Sequence, residues 1–133
     1  MAVYVWIAVG GALGSMARYG CSSLVAHWMG ETFPWGTLLI NVLGSFVIGF
    51  FAAITGPDGR VLVAPDFRQF VMVGICGGYT TFSSFSLQTL NLVRDGDMVL
   101  AGANIFGSLV ACLVAVWLGF ASAMALNQAP RAG

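Results

Sequence analysis

The sequence predicts an all-α integral membrane protein with four transmembrane helices, and three observations carry this prediction. Of the 133 residues, 59% are hydrophobic and only 8% are charged, and the mean hydropathy is +0.91, far from the balance of a soluble domain. Four apolar segments reach the length of about 20 residues that a helix needs to cross the hydrocarbon core of a membrane. The segments between them are too short to hold a soluble domain. We therefore expect residues 1–133 to form a single four-helix membrane domain.

The four predicted spans follow one another with polar, turn-rich connections. The spans cover approximately residues 3–26, 36–55, 69–93 and 98–126. The connections MGETFPWG, GPDGRVLVAPD and RDGD carry the glycine, proline and aspartate residues that favour turns. The N-terminus lacks the basic cluster of a secretory signal, so we expect the first span to stay in the mature protein. Residues 127–133 are expected to form a short flexible tail.

The arginines barely distinguish the two faces of the membrane. Five arginines, no lysine and five acidic residues leave a net charge of zero, so no nucleic acid partner is indicated. Four spans place both termini on one face, which then carries Arg60, Arg68 and Arg131, against Arg94 and Arg18 on the other. Because so weak a bias permits insertion in either orientation, we expect an antiparallel, dual-topology homodimer.

The first two spans carry stripes of small and polar residues at intervals of four. These are Gly10, Gly14 and Arg18 in the first span and Thr37, Asn41, Ser45 and Gly49 in the second. In lipid, such residues pack helices closely and bond them to one another. Asn41 has two readings, because its carboxamide could clasp a neighbouring helix or present its N–H donors to an anion in a pore.

A second row of polar side chains lies on the last span. Asn104, Ser108 and Cys112 are again spaced by four residues and share one helix face. Donors without a fixed charge suit an anion that must bind and then leave, although the same row could form a seam between helices. Two such rows in one small protein favour a pathway for an anion.

The stretch GICGGYTTFSSF at residues 74–85 interrupts the third span, with a predicted break at 74–80. Gly74, Gly77 and Gly78 make a helix break possible, and irregular backbone at membrane depth survives only where it is buried in protein or lines a cavity. Its free carbonyl groups could coordinate a hard cation. The half-helix that follows would present the positive end of its dipole.

Two sets of side chains follow this break. Thr80, Ser83 and Ser84 share one helix face, and Phe82 and Phe85 form an i, i+3 pair on another. Such a phenylalanine pair usually packs in a core, but the positive edge of a phenyl ring can also attract a small anion. Together with the donor rows, these residues indicate a pathway for a small anion without identifying the ion.

Three segments resemble the signature segments of the bacterial fluoride channels of the Fluc (CrcB) family, in the same order. They are GGALGSMARY at 10–19, WGTLLINVLGSFVIG at 35–49 and GICGGYTTFSSFS at 74–86. The resemblance covers nearly the whole chain. It implies a passive channel that exports fluoride through the cytoplasmic (inner) membrane down its electrochemical gradient and confers fluoride resistance. It also implies an antiparallel dimer in which each of two pores is lined by both subunits.

The resemblance also assigns roles to individual residues. It implies that the fluoride pathway is formed by Asn41, Phe82, Phe85, Ser83, Ser84, Asn104 and Ser108. It implies that the carbonyl groups of Gly77 and Thr80, two from each subunit, hold a structural Na⁺ at the dimer centre. Arg18 would have a structural or vestibule role, because a permanent charge in a narrow pore would trap the ion. Cys112 and Gln88 depart from the family pattern, where a hydroxyl group and often a glutamate are expected.

Three other functions fit the sequence less well. A small proton-coupled multidrug exporter would share the four spans and the dual topology, but it needs a carboxylate within the membrane. The acidic residues all fall in or beside connections: Glu31, Asp58, Asp66, Asp95 and Asp97. A non-conducting assembly subunit leaves the broken helix and the phenylalanine pair without a purpose. An enzyme is not expected, because the only histidine, His27, lies near a span end without a partnered nucleophile.

Overall fold

The computed structural model describes residues 1–129, and every regular element in that range is helical. The elements in chain order are α1 (Ala2–Met29), α2 (Trp35–Ile54), α3 (Pro65–Gln69), a π-helical segment (Phe70–Cys76), α4 (Gly77–Tyr79), α5 (Phe82–Arg94) and α6 (Met98–Gln128). The predicted all-α class is therefore confirmed. The last helix extends two residues into the predicted tail, and Arg131 lies outside the described residues.

Within the described residues, three stretches are long and apolar enough to cross a membrane. They are Trp35–Ile54, Pro65–Arg94 and Met98–Gln128, and they identify the chain as a membrane protein. Helix α1 is 28 residues long, yet it falls outside this set because glycines, serines and Arg18 interrupt its apolar residues. The first of the four predicted spans, residues 3–26, thus stays a prediction.

Glycines bring α1 into backbone contact with the π-helical segment and α4. A Cβ atom added to Gly10 would lie 2.6 Å from the carbonyl oxygen of Phe70 and 3.0 Å from the Cα atom of Gly74. One added to Gly78 would lie 2.6 Å from the carbonyl oxygen of Gly11. Any larger residue would push these backbones apart, so the close helix packing predicted from the glycine stripe of α1 is confirmed.

The interruption of the third apolar stretch lies at the end of the predicted window rather than across it. Gly74 and Gly77 are helical, whereas Thr80 (φ −84°, ψ 159°) and Thr81 (φ −153°, ψ 115°) are extended. Residues 74–76 thus belong to the π-helical segment, and the extended backbone begins only at Thr80, the last residue of the predicted window. The physical reason is that Gly74 and Gly78 are required where the chain touches α1, and not where it leaves the helix.

Helices α2 and α6 form the other close pair. A Cβ atom added to Gly119 would lie 2.9 Å from the backbone nitrogen of Phe50, and Gly49 approaches Val116 in the same way. Ala53, Ile54 and Ala123 continue this contact as a buried apolar cluster. Small residues thus set the distance between the two most apolar helices of the protein.

The C-terminal ends of α2 and α6 are tied together by hydrogen bonds. The backbone N–H of Arg60 donates to Asn127 Oδ1 at 3.0 Å, and Asn127 Nδ2 donates to the carbonyl oxygen of Ala53 at 3.1 Å. Arg60 Nη2 reaches the carbonyl oxygen of Ala129 at 2.7 Å. Arg68 Nε bonds Thr55 Oγ1 at 3.2 Å. The bonds to Ala53 and Ala129 satisfy carbonyl groups that helix ends leave free, and the four bonds together place Arg60 and Arg68 on the same side as the end of α6.

We expect Gly119→Ala to lower the free energy of unfolding by about 1–3 kcal/mol, since the added methyl group has no room between α6 and α2. Gly107→Ala on the same helix is the matched control, because no atom lies within 4 Å of its added Cβ. That control should be neutral or stabilising, as alanine favours helix. Denaturant unfolding of both purified variants in detergent measures the difference. Equal stability of the two variants would contradict the close packing.

Candidate functional site

A cavity of 550 Å³ lies where α2, the extended residues, the start of α5 and the middle of α6 meet. Because several elements converge here, residues that are far apart in sequence line one space. The sequence-predicted site residues in its lining are Asn41, Gly77, Thr80, Phe82, Phe85 and Ser108. Arg18, Ser83, Ser84 and Asn104 are not part of this lining. We call this space the inner cavity.

A larger cavity of 850 Å³ opens between α1, the N-terminal part of α2 and α5. Its lining includes the polar residues Arg18, Ser22, Thr37, Ser84, Gln88 and Asn91 and the acidic residues Glu31 and Asp95. We call this space the vestibule. Thr81 belongs to the linings of both spaces. The extended residue therefore lies between the vestibule and the inner cavity.

Asn41 holds Thr81 by its backbone. Its Nδ2 donates to the carbonyl oxygen of Thr81 at 3.0 Å, and its Oδ1 accepts from the Thr81 N–H at 2.8 Å. Both bonds satisfy backbone groups that have left the helix. The clasp, one of the two readings that the sequence left open for Asn41, is therefore present. The second N–H of the same amide is not used by Thr81, and the side chain also lines the inner cavity.

Thr81 itself was not predicted as a site residue. Its side chain is only 7% exposed and caps α5, with Oγ1 accepting from the Ser84 N–H at 3.1 Å. The same hydroxyl group lies 3.0 Å from Ser84 Oγ and 3.3 Å from Ser83 Oγ. A threonine directly before FSSF is a recognisable N-cap, so the sequence did carry a signal for it. Three hydroxyl groups consequently cluster at the first turn of α5.

The two phenylalanines lie side by side at the start of α5. Their ring centroids are 5.3 Å apart and the ring planes are tilted by 44°. Phe82 is 78% exposed, whereas Phe85 is half-buried. Both rings line the inner cavity. The Phe82 ring is therefore held mainly by its position on the helix and is not part of a packed core within this chain.

The polar row on α6 continues into α5 as a chain of hydrogen bonds. Ser108 Oγ donates to Asn104 Oδ1 at 3.3 Å, Asn104 Nδ2 donates to Thr89 Oγ1 at 2.8 Å, and Thr89 Oγ1 donates to the Phe85 carbonyl oxygen at 2.8 Å. Asn104 is 2% exposed and Ser108 is 8% exposed. Ser108 thus faces the inner cavity, while Asn104 lies behind it. Thr89 was not predicted, because nothing in its spacing points toward α6.

The predicted sodium ligands lie at the end of α4. The carbonyl oxygen of Thr80 is 3.5 Å from Arg18 Nη1, and that of Gly78 is 3.5 Å from Ser15 Oγ. Gly77 is exposed. Within residues 1–129 no group of three or more histidine, cysteine, aspartate or glutamate residues could hold a metal. Carbonyl oxygens at a helix end do suit a hard cation such as Na⁺, but two of them are too few for a complete site.

Comparison with known proteins gives consistent matches over most of the chain. Residues 5–120 match the family model described as "CrcB-like protein, Camphor Resistance (CrcB)". A relative from Opitutus terrae is 65% identical over 128 residues, which cover 96% of this chain and 97% of the relative. A relative from Rhodospirillum rubrum is 58% identical over 125 residues, which cover 94% of this chain and 97% of the relative. A relative from Methylocella silvestris is 59% identical over 125 residues, which cover 94% of this chain and 95% of the relative. All three relatives carry the name fluoride-specific ion channel FluC.

Proposed function

The chain belongs to the CrcB family, and from that membership we propose that it conducts fluoride passively across the inner membrane of the cell. Accumulated fluoride would leave the cytoplasm down its electrochemical gradient, which confers fluoride resistance. The observation that carries this proposal is the 65% identity, over 96% of the chain, with a protein named as a fluoride-specific ion channel. The family is one of ion channels, so the protein is not an enzyme, and a proton-coupled exporter is not favoured.

In this proposal α1 also crosses the membrane, which brings the number of spans to four, and the channel is an antiparallel dual-topology homodimer. A helix of 28 residues is about 42 Å long, which exceeds the hydrocarbon thickness. Backbone contact between α1 and an apolar stretch supports a position inside the membrane. The weak arginine bias supports insertion both ways round, and the exposed Phe82 ring offers a surface that a second copy would cover.

Fluoride would pass from the vestibule to the inner cavity by the first turn of α5. Arg18 would offset the negative charge of Glu31 and Asp95, which line the same vestibule, and the hydroxyl groups of Ser83 and Ser84 would receive the ion. In the inner cavity, the amide of Asn41, the edges of Phe82 and Phe85 and the hydroxyl group of Ser108 would replace its hydration shell. Asn104 would act from behind Ser108. Because none of these inner-cavity groups carries a charge, the ion can leave again.

A structural Na⁺ at the dimer centre completes the proposal. The carbonyl groups of Gly77 and Thr80 from two antiparallel copies would supply four oxygen ligands. The exposure of Gly77, the first residue of α4, supports access from a second subunit. Such an ion would supply a fixed positive charge that holds the two copies together at these carbonyl groups. The chain's own part would be to keep the carbonyl groups free of hydrogen bonds within the helix.

Efflux from proteoliposomes loaded with potassium fluoride tests the proposed function. We expect rapid fluoride release, followed with a fluoride electrode, once valinomycin allows potassium to leave with it. Matched vesicles loaded with potassium chloride should release little chloride. Failure of verified dimeric protein to release either ion would refute the channel. Release that requires a proton gradient would instead indicate a coupled exchanger.

A further inference from the structure

The hydrogen-bond chain from Ser108 through Asn104 to Thr89 has a defined direction. On the basis of the proposed function, we propose that this chain reverses direction when an anion reaches Ser108, and that Thr89 is the positioning residue that makes the reversal possible. Thr89 lies outside the lining of the inner cavity. It would therefore act on the ion only through Asn104 and Ser108.

The direction at rest follows from the hydrogen bond between Thr89 and the backbone of Phe85. Thr89 has one hydroxyl hydrogen and donates it to the carbonyl oxygen of Phe85 at 2.8 Å, so toward Asn104 it can only accept. Asn104 must then turn Nδ2 toward Thr89, at 2.8 Å, and Oδ1 toward Ser108. The single hydroxyl hydrogen of Ser108 points to that oxygen, at 3.3 Å. In this state Ser108 has no hydrogen left for an ion in the inner cavity.

An anion at Ser108 would compete for that hydrogen. Once Ser108 donates to the anion, its oxygen can accept from Nδ2 of Asn104 after the amide turns by half a rotation. The Oδ1 atom then faces Thr89 and accepts the hydroxyl hydrogen that Phe85 gives up. The carbonyl oxygen of Phe85 keeps the backbone bond of the α-helix. Every proton stays on its own residue, and in both states Oδ1 and one N–H of the Asn104 amide have a partner.

Burial is the reason that Thr89 is needed. Asn104 is 2% exposed, so water cannot replace a missing partner. The surrounding helices offer carbonyl oxygens with a spare lone pair but no spare N–H group. Without the Thr89 hydroxyl group, the resting amide can still donate to a carbonyl group one turn back along α6. The reversed amide has no donor for Oδ1, so the anion-bound state alone is penalised.

Thr89→Val tests this prediction, because valine keeps the shape of threonine without its hydroxyl group. We expect fluoride efflux to fall about tenfold, the effect of one lost hydrogen bond, while Thr89→Ser conducts as the unmodified protein does. In a Ser108→Ala background, where the chain no longer reaches the inner cavity, Thr89→Val should cause no further loss. Independent, multiplying losses in the double variant, or normal efflux from Thr89→Val, would overturn the relay.

The Asn104 side-chain amide provides a second measurement. Its result would not change if Thr89 had only a structural role. Its ¹⁵N–H resonances, identified by their absence in Asn104→Leu, should shift with potassium fluoride but not with potassium gluconate. The shift should disappear in Thr89→Val. An unmodified protein that conducts fluoride without any shift refutes the relay and leaves the channel intact. An unmodified protein that releases no fluoride refutes the proposed function, and the amide shift still decides the relay.

Discussion

Asn41→Leu is expected to abolish fluoride efflux. The substitution removes both hydrogen bonds to the backbone of Thr81. Thr81 is only 7% exposed. Each buried backbone group left unpaired costs about 1–3 kcal/mol, so the extended residue between the vestibule and the inner cavity would lose its position. The amide donor proposed for fluoride disappears as well. Efflux from proteoliposomes and denaturant unfolding of the purified protein measure the two effects separately.

Asn127→Leu is the matched control for this variant. Asn127 also makes two side-chain bonds, to Ala53 and Arg60, but it lies at the end of α6 and lines neither cavity. It should lower stability by a similar amount and leave the rate of efflux per folded channel unchanged. Asn41→Asp should also block, since it places an anion in the path of the anion. Normal efflux from Asn41→Leu would remove Asn41 from the pathway.

Phe82→Ile and Phe85→Ile are each expected to reduce fluoride efflux to background while the protein remains folded and dimeric. Isoleucine retains an apolar side chain but lacks the electropositive ring edge that is proposed to face fluoride. Loss of packing within the chain cannot explain an effect at Phe82, because that ring is 78% exposed there, and a loss of packing between subunits would appear as a loss of the dimer. Efflux assays, with size-exclusion chromatography of the same samples, test the expectation.

Phe106→Ile provides the comparison for the ring variants. Phe106 is 69% exposed on α6 and lines neither cavity, so its replacement should leave efflux unchanged. If Phe82→Ile conducted at the normal rate, the phenylalanine pair would have no part in conduction. Equal losses in Phe106→Ile would point to a general effect of removing rings from the surface that faces lipid.

The helical fold and the close contacts could be predicted because both depend on local residue type. Apolar length identifies Trp35–Ile54 and Met98–Gln128 directly, and glycines at intervals of four identify where α1 meets its neighbour. The glycines alone could not place the extended backbone at Thr80 and Thr81, because a glycine signals backbone freedom and close approach equally well. Gly74 serves the second purpose, which only the position of α1 reveals.

The inner cavity was predicted in part. Asn41, Phe82, Phe85 and Ser108 were chosen from spacing and resemblance, and the fold does bring them to one space. Asn104 shares a helix face with Ser108, but its burial depends on α5 lying across it, which no spacing within α6 encodes. Thr89 could not be predicted for the same reason, because its contact with Asn104 depends on how α5 lies against α6. Partners from different helices are the part of such a site that a sequence pattern leaves open.

The contact between α2 and α6 also has a consequence for the order of biosynthesis. The two helices are neighbours through Gly49 and Gly119, yet the whole stretch from Pro65 to Arg94 is made between them. At ribosomal speeds of about 5–20 residues per second, α2 waits for seconds in the bilayer before its partner emerges. Its glycine face must meanwhile be covered by lipid or by the insertion machinery. A nascent chain stalled before α6 would therefore leave the glycine face of α2 without its helix partner.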